Sequence, residues 1–448
     1  MTYKGKHTVV LGLGRSGEAA ALLLQDKGAD VTVCDSASEM TLCQKAESLR
    51  ARKIRVLTGN DADTDSTVYD LAVLSPGIDP ETPLVRNIVN KGIRIIGELE
   101  LAFEECACPT VAITGTNGKT TTTELTTRML QQCGLRTIAS GNIGLPFSEA
   151  VRDNKEMDVM VIEISSFQLE TIQTFRPHVA VWTNFSANHL DRYRSVDDYR
   201  NAKLRIFENQ KQEDYAVVNL RDTLPPLRAK TVAFSAHQSG GDFELRGTEI
   251  FFRDKKVLNQ EETNLSGVHN AENLMAALGV GYSLGIDFER MAEAVKEYHP
   301  PAHRCELVRD LEGVRYINDS KATNLNAMEM AIRSQTGTLI LIAGGKDKGF
   351  EFDGIASLIR ERVKAAVLIG EMKERIARDW KEVPTYCEAT LEAAVKKAQS
   401  LSTEGSTVLF SPGTSSFDMF QNYVERGNRF KDCVTNLTPT KLQPQTTP

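Results

Sequence analysis

A glycine-containing loop with the sequence GTNGKTT, residues 115–121, restricts the possible fold of this chain more than any other segment. The loop follows the apolar run Thr110–Thr114 and precedes a helix-like segment at 122–133. A strand, a glycine loop ending in Lys-Thr and a helix start form a cradle for phosphate, because backbone N–H groups and the positive end of the helix dipole attract phosphate oxygens. In such a loop Lys119 contacts the outer phosphates and Thr120 offers a hydroxyl to Mg²⁺. The segment predicts a nucleotide-binding α/β unit.

The loop is a shortened variant of the usual phosphate loop. The usual spacing requires a glycine at position 113, where this chain has Ile113. An ordinary strand–turn–helix junction without a ligand is the alternative. We expect the whole loop to contact phosphate: Gly115, Thr116, Asn117, Gly118, Lys119, Thr120 and Thr121.

Composition narrows the class of protein. A chain of 448 residues with 41% hydrophobic and 25% charged residues is typical of a globular protein of about three domains. The net charge of -7 argues against a nucleic-acid partner, which would need a basic face. The eight cysteines include no Cys-x-x-Cys pair, although one residue alone separates Cys106 from Cys108. We therefore expect reduced thiols and no zinc site. We also expect no signal peptide and no membrane span.

Strand-like and helix-like runs alternate along the chain, which is typical of an α/β protein with parallel sheets. The proline pair at 300–301 marks a break, because prolines stop helices and stiffen linkers. We expect three domains, at 1–97, 98–300 and 301–434. The Thr/Pro/Gln-rich segment 435–448 lacks apolar periodicity, and we expect it to be disordered.

The sequence GLGRSG at residues 12–17 fits the pattern G-x-G-x-x-G and precedes a helical run at 18–27. Asp35 ends the next strand-like run, where an acid can hold a ribose hydroxyl. Three interpretations stay open: an NAD site, a site for another nucleotide diphosphate, and a glycine turn that packs a helix without a ligand. A second phosphate loop in the same chain weakens the first interpretation, because a simple dehydrogenase needs only one.

Polar residues beyond two other strand-like runs are candidates for metal binding. Glu163 follows the apolar run 159–162 and is placed to bind Mg²⁺, although it could equally form a surface salt bridge. His189 lies in the polar loop 184–191 and is a candidate metal ligand or proton carrier, whereas most lone loop histidines are neither. Lys203 lies in a helical segment, and the residues alone indicate only a solvated charge there.

Three loops in the last third of the chain each follow a strand-like run and combine glycine, hydroxyl and lysine side chains. Their sequences are NDSKATN at 318–324, GGKDKG at 344–349 and SPGTSS at 411–416. Because α/β proteins bind ligands at the carboxyl ends of their strands, we expect a site for an anionic ligand here. Plain surface loops are the alternative.

These motifs resemble the ATP-dependent Mur ligases of peptidoglycan synthesis over nearly the whole chain. The resemblance rests on residues 115–121 and on EISSFQ at 163–168, NHLDR at 188–192, Ala202-Lys203, HNAEN at 269–273 and AHRCE at 302–306. It implies three α/β domains: an N-terminal Rossmann-like UDP-binding domain, a central P-loop ATPase-like domain and a C-terminal Rossmann-like domain. Residues 318–324, 411–417 and 426–428 are similar to the D-glutamate-adding members.

The resemblance implies an ATP-dependent amide ligase that acts in the cytoplasm, with a monomer as the expected state. Its small-molecule substrates would be UDP-N-acetylmuramoyl-L-alanine and D-glutamate. A carboxylate is a poor electrophile, and its conversion to an acyl phosphate supplies a leaving group for the incoming amine. Such a site must position anionic ligands and neutralise their charge. Preorganised charges of the protein and two Mg²⁺ ions would neutralise the charge of the ATP phosphates.

The resemblance also implies roles for single residues. ATP would contact residues 115–121 and also Asn270, Arg304 and Asp319. The uridine-diphosphate substrate would contact Arg15, Ser16, Asp35, Ser36 and Asn142. D-glutamate would contact Thr323, Lys348, Ser416 and Tyr423. Metal ligands would be Thr120, Glu163, His189 and a carbamylated Lys203, and the catalytic residues would be Lys119, His189 and Lys203.

Two other enzymes share parts of this pattern. A folylpolyglutamate synthase uses a similar loop and joins glutamate to an acyl phosphate, but it lacks the N-terminal UDP-type domain expected here. An NAD-dependent dehydrogenase would use residues 12–17 and Asp35, and it leaves Lys119 and the third domain unexplained. A nucleotide-regulated binding module without chemistry is a third alternative.

Overall fold

Three β-sheets form the framework of the chain, and apolar runs of four to seven residues supply most of their strands. The computed structural model describes residues 3–37, 39–142, 144–186, 193–299, 302–335, 337–347 and 350–439, with the backbone alone at 39–41, 43, 326 and 334. The described residues form two compact units. The first comprises the residues up to Thr263 together with Asn270–Tyr298, and the second comprises Asn264–His269 and the residues from His299 onward.

The first sheet of the first unit is wholly parallel, with the strand order β3-β2-β1-β4-β5. Its strands are β1 (His7–Leu11), β2 (Asp30–Asp35), β3 (Arg55–Thr58), β4 (Leu71–Leu74) and β5 (Ile95–Gly97). The accompanying helices are α1 (Arg15–Asp26), α2 (Glu39–Ala51), α3 (Asn60–Asp63), α4 (Pro83–Asn90) and α5 (Glu98–Glu105). The strand order reverses between β1 and β4, which is where such sheets open a crevice for ligands.

The second sheet of this unit has nine strands in the order β14-β13-β12-β11-β10-β9-β6-β8-β7. They are β6 (Thr110–Thr114), β7 (Thr137–Gly141), β8 (Val159–Glu163), β9 (Val179–Trp182), β10 (Tyr215–Asn219), β11 (Lys230–Ser235), β12 (Phe243–Arg246), β13 (Glu249–Phe252) and β14 (Lys255–Asn259). The helices are α6 (Lys119–Gln132), α7 (Phe147–Asp153), α8 (Ser166–Leu169), α9 (Val196–Leu204), α10 (Val268–Ser283) and α11 (Phe288–Lys296). Strand β6 is buried along its whole length, as expected for a central parallel strand covered on both faces.

The second unit contains a six-stranded sheet with the order β15-β16-β20-β17-β18-β19. Its strands are β15 (Glu306–Leu311), β16 (Val314–Asn318), β17 (Leu339–Gly344), β18 (Val363–Ile369), β19 (Thr385–Cys387) and β20 (Thr407–Phe410). Its helices are α12 (Leu325–Ser334), α13 (Ala356–Arg362), α14 (Lys373–Asp379), α15 (Leu391–Leu401) and α16 (Tyr423–Thr435).

The structure differs from the sequence-based expectations in three details. Strands β12 to β14 pair antiparallel, as do β15 and β16, so the second and third sheets are mixed, while the first sheet is wholly parallel as expected. Helix α6 begins at Lys119 instead of residue 122, and α1 begins at Arg15 instead of residue 18. Both helices start directly after a glycine: Gly14 is extended and Gly118 is left-handed.

Two expectations concern the chain ends and the membrane. Of the segment 435–448, residues 435–439 are described: Leu437 is buried, and the Arg309 guanidinium donates hydrogen bonds to the carbonyls of Thr435 and Leu437. The rest of that segment and the prolines at 300 and 301 lie outside the described residues. Within the described ranges, every helix is too short or too polar to cross a lipid bilayer.

Candidate functional site

The loop at 115–118 joins β6 to α6 and is held by the segment that follows β9. The Thr116 amide donates to the Asn184 carbonyl at 2.9 Å, and the Asn117 amide donates to Asn184 Oδ1 at 2.9 Å. Thr183 Oγ1 donates to the Asn117 carbonyl at 2.6 Å. These bonds fix the loop before any ligand arrives, which lowers the entropy cost of binding phosphate.

The two loop glycines are required by close contacts as well as by backbone conformation. Gly115 has φ 148° and Gly118 has φ 78°, both in the region that favours glycine. A Cβ at Gly115 would lie 2.0 Å from Thr183 Oγ1, and a Cβ at Gly118 would lie 2.5 Å from Asn273 Oδ1. Asn273 is anchored in turn by Thr122 Oγ1, which donates to the same oxygen at 3.1 Å.

Two lysines meet at one backbone oxygen of this loop. Lys119 Nζ donates to the Gly115 carbonyl at 3.0 Å and to the Thr116 carbonyl at 2.9 Å. Lys203 Nζ donates to the same Gly115 carbonyl at 2.8 Å, although it is 88 residues away in sequence. Lys119 and Lys203, each assigned a catalytic role from the resemblance, are therefore brought together at the start of α6.

The environment of Lys203 favours the neutral amine. Its side chain is 2% exposed, and its Nζ lies 4.8 Å from the centre of the Tyr199 ring. Burial and then the charge of Lys119 hold the pKa of Lys203 well below its ordinary value, while Glu163 acts in the opposite direction. A buried neutral amine can act as a nucleophile, which an ordinary charged lysine cannot.

Glu163 ends β8 with a carboxylate that is only half satisfied. The side chain is 2% exposed, and its Oε1 accepts a hydrogen bond from Asn142 Nδ2 at 2.9 Å. Its Oε2 is buried and has no hydrogen-bond partner among the described residues. A buried carboxylate oxygen without a partner is costly unless a cation compensates it, so this oxygen fits a hard metal ion.

Of the two remaining predicted metal ligands, Thr120 and His189, the structure describes only Thr120. Thr120 lies in the first turn of α6 and is 8% exposed. His189 lies outside the described residues, as does the rest of 187–192. Within the part of the chain that is described, no three His, Cys, Asp or Glu side chains are grouped as a metal-binding cluster.

A cavity of about 530 Å³ opens in the first unit at the carboxyl edge of the first sheet. Four of the five residues predicted for the uridine-diphosphate substrate line it: Arg15, Ser16, Asp35 and Asn142. The fifth, Ser36, does not line the cavity, and its hydroxyl donates to Asp63 Oδ1 at 2.6 Å. Asp35 also holds the backbone, since its Oδ2 accepts from the Leu13 amide at 2.7 Å and its Oδ1 accepts from the Ala37 amide at 2.8 Å.

Asn142 connects this cavity with the metal-compatible carboxylate. Its side chain lines the cavity and donates to Glu163, and its amide donates to the Glu163 carbonyl at 2.8 Å. A substrate in the cavity and a cation at Glu163 would therefore be neighbours of one side chain. The contact was not expected from sequence, where the two residues are 21 positions apart.

In the second unit, Asp319 directly follows β16 and is 7% exposed to solvent. Ser411 Oγ donates to its Oδ2 at 2.8 Å, and the Cys305 amide donates to its Oδ1 at 3.2 Å. Burial dominates over these bonds and over the charge of Arg304, and it raises the pKa of Asp319 to about 7.

The loops of this unit are joined by Arg426, which is 1% exposed. Its guanidinium donates to Ser320 Oγ at 3.0 Å, to the Ser320 carbonyl at 2.8 Å and to the Thr414 carbonyl at 3.1 Å. Burial lowers the pKa of Arg426 to about 10. The buried Arg426 thus joins the loops at 318–324 and 411–416, in addition to the hydrogen bond from Ser411 to Asp319.

The predicted D-glutamate residues fall in the same part of the second unit. Tyr423 begins α16, and Lys321 Nζ donates to its hydroxyl at 2.8 Å. Ser416 is buried, and Thr323 is half-buried in the loop after β16. Lys348 lies outside the described residues.

Several residues at these sites were not assigned from sequence. Lys45, Ser75 and Gln168 line the cavity, Asn184 and Asn273 hold the phosphate loop, and Lys321 and Arg426 organise the second unit. Gln168, Lys321 and Arg426 lie inside quoted motifs, which is the signal that could have found them. Lys45 offers no such signal, because a lysine in a helix usually indicates a solvated face.

Comparison with known proteins covers nearly the whole chain. Three family models match: Mur ligase MurD-like, N-terminal domain, at 6–97; Mur ligase middle domain, at 113–281; and Mur ligase, glutamate ligase domain, at 303–413. A UDP-N-acetylmuramoylalanine--D-glutamate ligase from Geobacter metallireducens is 44% identical, with 98% of this chain and 99% of the relative covered. The chain belongs to the Mur ligase family.

Other Mur ligases extend the comparison. A protein of the same name from Trichlorobacter lovleyi is 42% identical over 98% of this chain and 100% of its own length. A pseudomurein peptide ligase type C from Methanothermus fervidus superposes with a TM-score of 0.60 at 18% identity, over 97% of this chain and 100% of that one. A MurF ligase from Thermotoga maritima in complex with ADP superposes with a TM-score of 0.59 at 16% identity, over 96% of each chain.

The family and the three-domain α/β fold class predicted from sequence are confirmed. At 16–18% identity the solved structures establish the Mur ligase fold and nothing finer. Membership of this family also disfavours the dehydrogenase interpretation of residues 12–17.

Proposed function

We propose that this chain is an ATP-dependent ligase that joins D-glutamate to UDP-N-acetylmuramoyl-L-alanine in the synthesis of peptidoglycan precursors. The observation that carries the proposal is the near-complete coverage at 44% identity by a relative of that name. The phosphate loop, the cavity at the first sheet and the loop cluster of the second unit support it, because a ligase of this kind must hold a nucleotide, a large uridine-diphosphate substrate and an amino acid.

The proposed ATP site begins with residues 115–121. Its support is the preformed loop, in which the start of α6 and the amine of Lys119 supply positive charge to phosphate oxygens. For the adenosine part of ATP the proposed contacts are Asn270, Arg304 and Asp319. Asn270 accepts a hydrogen bond from Asn273 Nδ2 at 3.1 Å.

The proposed metal site holds up to two Mg²⁺ ions through Thr120, Glu163, His189 and a carbamylated Lys203. Two observations support it: the unpartnered Oε2 of Glu163, and the neutral character of Lys203, since only an unprotonated amine adds to CO₂. Carbamylation would replace an amine by an anion beside Glu163. When bound, magnesium would neutralise phosphate charge during transfer.

The proposed substrate site for the uridine diphosphate comprises Arg15, Ser16, Asp35, Ser36 and Asn142. The cavity volume and the guanidinium of Arg15 support it, because arginine pairs well with phosphate oxygens. For D-glutamate the proposed contacts are Thr323, Lys348, Ser416 and Tyr423, and their support is the cationic, hydroxyl-rich loop cluster around Arg426.

In the proposed reaction the terminal carboxylate of the L-alanine group takes up the γ-phosphoryl group of ATP, and ADP leaves. The amine of D-glutamate then attacks the carbonyl carbon, and phosphate is expelled as the amide forms. Lys119 stabilises negative charge on the phosphoryl group as it is transferred, and the fixed loop holds that group in line. We further propose a cytoplasmic monomer, because ATP is a cytoplasmic substrate and one chain carries every proposed contact.

The test is phosphate release from ATP in the presence of Mg²⁺, bicarbonate and UDP-N-acetylmuramoyl-L-alanine, with D-glutamate, L-glutamate or L-lysine added in turn. We expect release, and a new amide product by mass spectrometry, with D-glutamate alone. Lys119→Ala should abolish both signals, and the exposed Lys155→Ala should retain them. Turnover with a different amino acid would change the substrate, and a folded protein without turnover on any of the three would overturn the proposal.

A further inference from the structure

Two cysteines lie together at the end of the central sheet that is opposite the phosphate loop. Cys106 and Cys108 flank Ala107 in the short connection between α5 and β6. Their sulfur atoms are 3.8 Å apart, and both side chains are half-buried against the apolar core of this sheet. Pro109 and the five-residue strand β6, which is roughly 16 Å long, separate Cys108 from the phosphate loop. The pair is therefore separate from the ligase site.

The contact between the two sulfurs makes their chemistry unequal. Either thiol can donate in the contact between the two sulfurs; when Cys108 donates, it stabilises the Cys106 thiolate, and this lowers the pKa of Cys106 to about 7. The same hydrogen bond raises the pKa of Cys108, followed by its burial. Seven of the eight cysteines are described, all as free thiols, and Cys387 is the exposed one among them.

We propose that Cys106 and Cys108 form a redox-active dithiol that small-molecule disulfides convert into an intrachain disulfide. The two sulfurs need to approach from 3.8 Å to the bond length of about 2.05 Å, which side-chain rotation in a short connecting segment can supply. The partial exposure of both residues gives a small disulfide access to Cys106. The proposal is independent of the ligase activity.

The exchange balances in two steps. The Cys106 thiolate attacks one sulfur of the small disulfide, whose S–S bond breaks, and the departing thiolate takes up the proton that Cys106 lost. The Cys108 sulfur then attacks Cys106 Sγ, and the second small thiolate leaves with the proton of Cys108. Two cysteine thiols are oxidised to one disulfide, and one small disulfide is reduced to two thiols. Once Cys106 is in the mixed disulfide, the thiolate that disfavours ionisation of Cys108 is gone.

The experiment treats the full chain with oxidised glutathione at pH 7, followed by alkylation and mass spectrometry. The tryptic peptide from residue 95 to residue 119 contains Cys106, Cys108 and no other cysteine. We expect this peptide to lose two hydrogen atoms without retaining glutathione. Cys106 should react roughly fivefold faster than Cys387, because its thiolate fraction is larger while its nucleophilicity is lower.

Variants separate the two sulfurs. Cys108→Ser should trap a glutathione adduct on Cys106. Cys106→Ser removes the thiolate that raises the pKa of Cys108, so Cys108 should at most retain glutathione and no intrachain disulfide should form. Cys387→Ser is the matched control and should form the intrachain disulfide as the wild type does, while Cys108→Ala replaces Cys108→Ser if that variant does not fold. The proposal is overturned if the wild type retains glutathione on Cys106 as the Cys108 variant does, or if Cys387 reacts and neither cysteine of the pair does.

Discussion

Residues 12–17 and residues 115–119 are both glycine loops that join a central parallel strand to a helix of the first unit. The first loop is shaped by backbone packing: a Cβ at Gly17 would lie 1.8 Å from the Gly12 carbonyl oxygen, and the loop lines an open cavity. The second is contacted by two lysine amines, the buried Lys203 and the half-buried Lys119, which both donate to the Gly115 carbonyl. These two amines distinguish a loop that can take part in chemistry from one that can only recognise a substrate.

The two glycine loops share a local sequence pattern that specifies little beyond a tight turn and a helix start. Both loops present amide groups at a helix N-terminus, and both could bind phosphate on that ground. The difference comes from side chains far along the chain, since Lys203 reaches the Gly115 carbonyl of the phosphate loop and its pKa is affected by Glu163. Removing single features from each loop should therefore have unlike effects on turnover, stability and substrate binding.

The largest effect is expected at the phosphate loop. Lys119→Ala should lower kcat about 10³-fold, because the phosphoryl group loses its nearest fixed positive charge. Binding of UDP-N-acetylmuramoyl-L-alanine should not change, since Lys119 does not line the cavity. Steady-state kinetics and calorimetry check the two halves of this expectation, with Lys155→Ala as the control. A matching loss of substrate binding would mean that the two loops act as one site.

The second-largest effect is expected at Asp319, the buried carboxylate that follows β16 in the second unit. The folded-state pKa of Asp319 is raised from 3.8 to about 7, so the folded state binds more protons than the unfolded state between those values. Stability from this group is present below pH 4 and is lost as the pH rises through 7, by up to about 4 kcal/mol. Urea unfolding of wild type and Asp319→Asn from pH 5 to 8 should show a gap in favour of the variant that widens with pH.

The exposed Asp353→Asn is the control for this experiment and should follow the wild type at every pH. A constant gap between Asp319→Asn and the wild type would contradict the titration and would indicate a simple packing difference.

The third effect concerns backbone packing in the first loop. Gly17→Ala should lower the free energy of unfolding by about 3 kcal/mol, since its Cβ would meet the Gly12 oxygen and Ser75 Oγ. Gly14→Ala is the matched control: nothing lies within 4 Å of its Cβ and its φ is -75°, so a change within about 0.5 kcal/mol is expected. Thermal unfolding compares the two variants. Equal stabilities would show that the loop relaxes freely.

The smallest effect is expected for substrate recognition. Arg15→Ala should raise KM for the uridine-diphosphate substrate about tenfold, or about 1.4 kcal/mol, with kcat little changed, because one charged contact is lost equally in the ground and transition states. The exposed Arg86→Ala on α4 serves as the control. A fall in kcat with KM unchanged would remove the distinction between the two loops.

The sequence predicted much of the fold because its signals are local. The apolar run Thr110–Thr114 and the glycines after it specify a strand and a turn whatever surrounds them. The antiparallel strands β12 to β14 were missed, since their four- and five-residue runs are half-exposed and resemble loops. The early starts of α1 and α6 were missed because threonine and serine at those positions favour a later helix start.

The features of the candidate site likewise divide into those that local sequence predicts and those that depend on tertiary contacts. The sequence by itself determined which loops could bind phosphate, which strand ends are polar and to which family the chain belongs. Only the tertiary structure decided that Lys203 reaches the Gly115 carbonyl, that Asn142 joins the cavity to Glu163 and that Ser36 points to Asp63. The physical reason is that backbone conformation depends on neighbours in sequence, whereas burial, pKa and contact depend on residues that the fold brings from far along the chain.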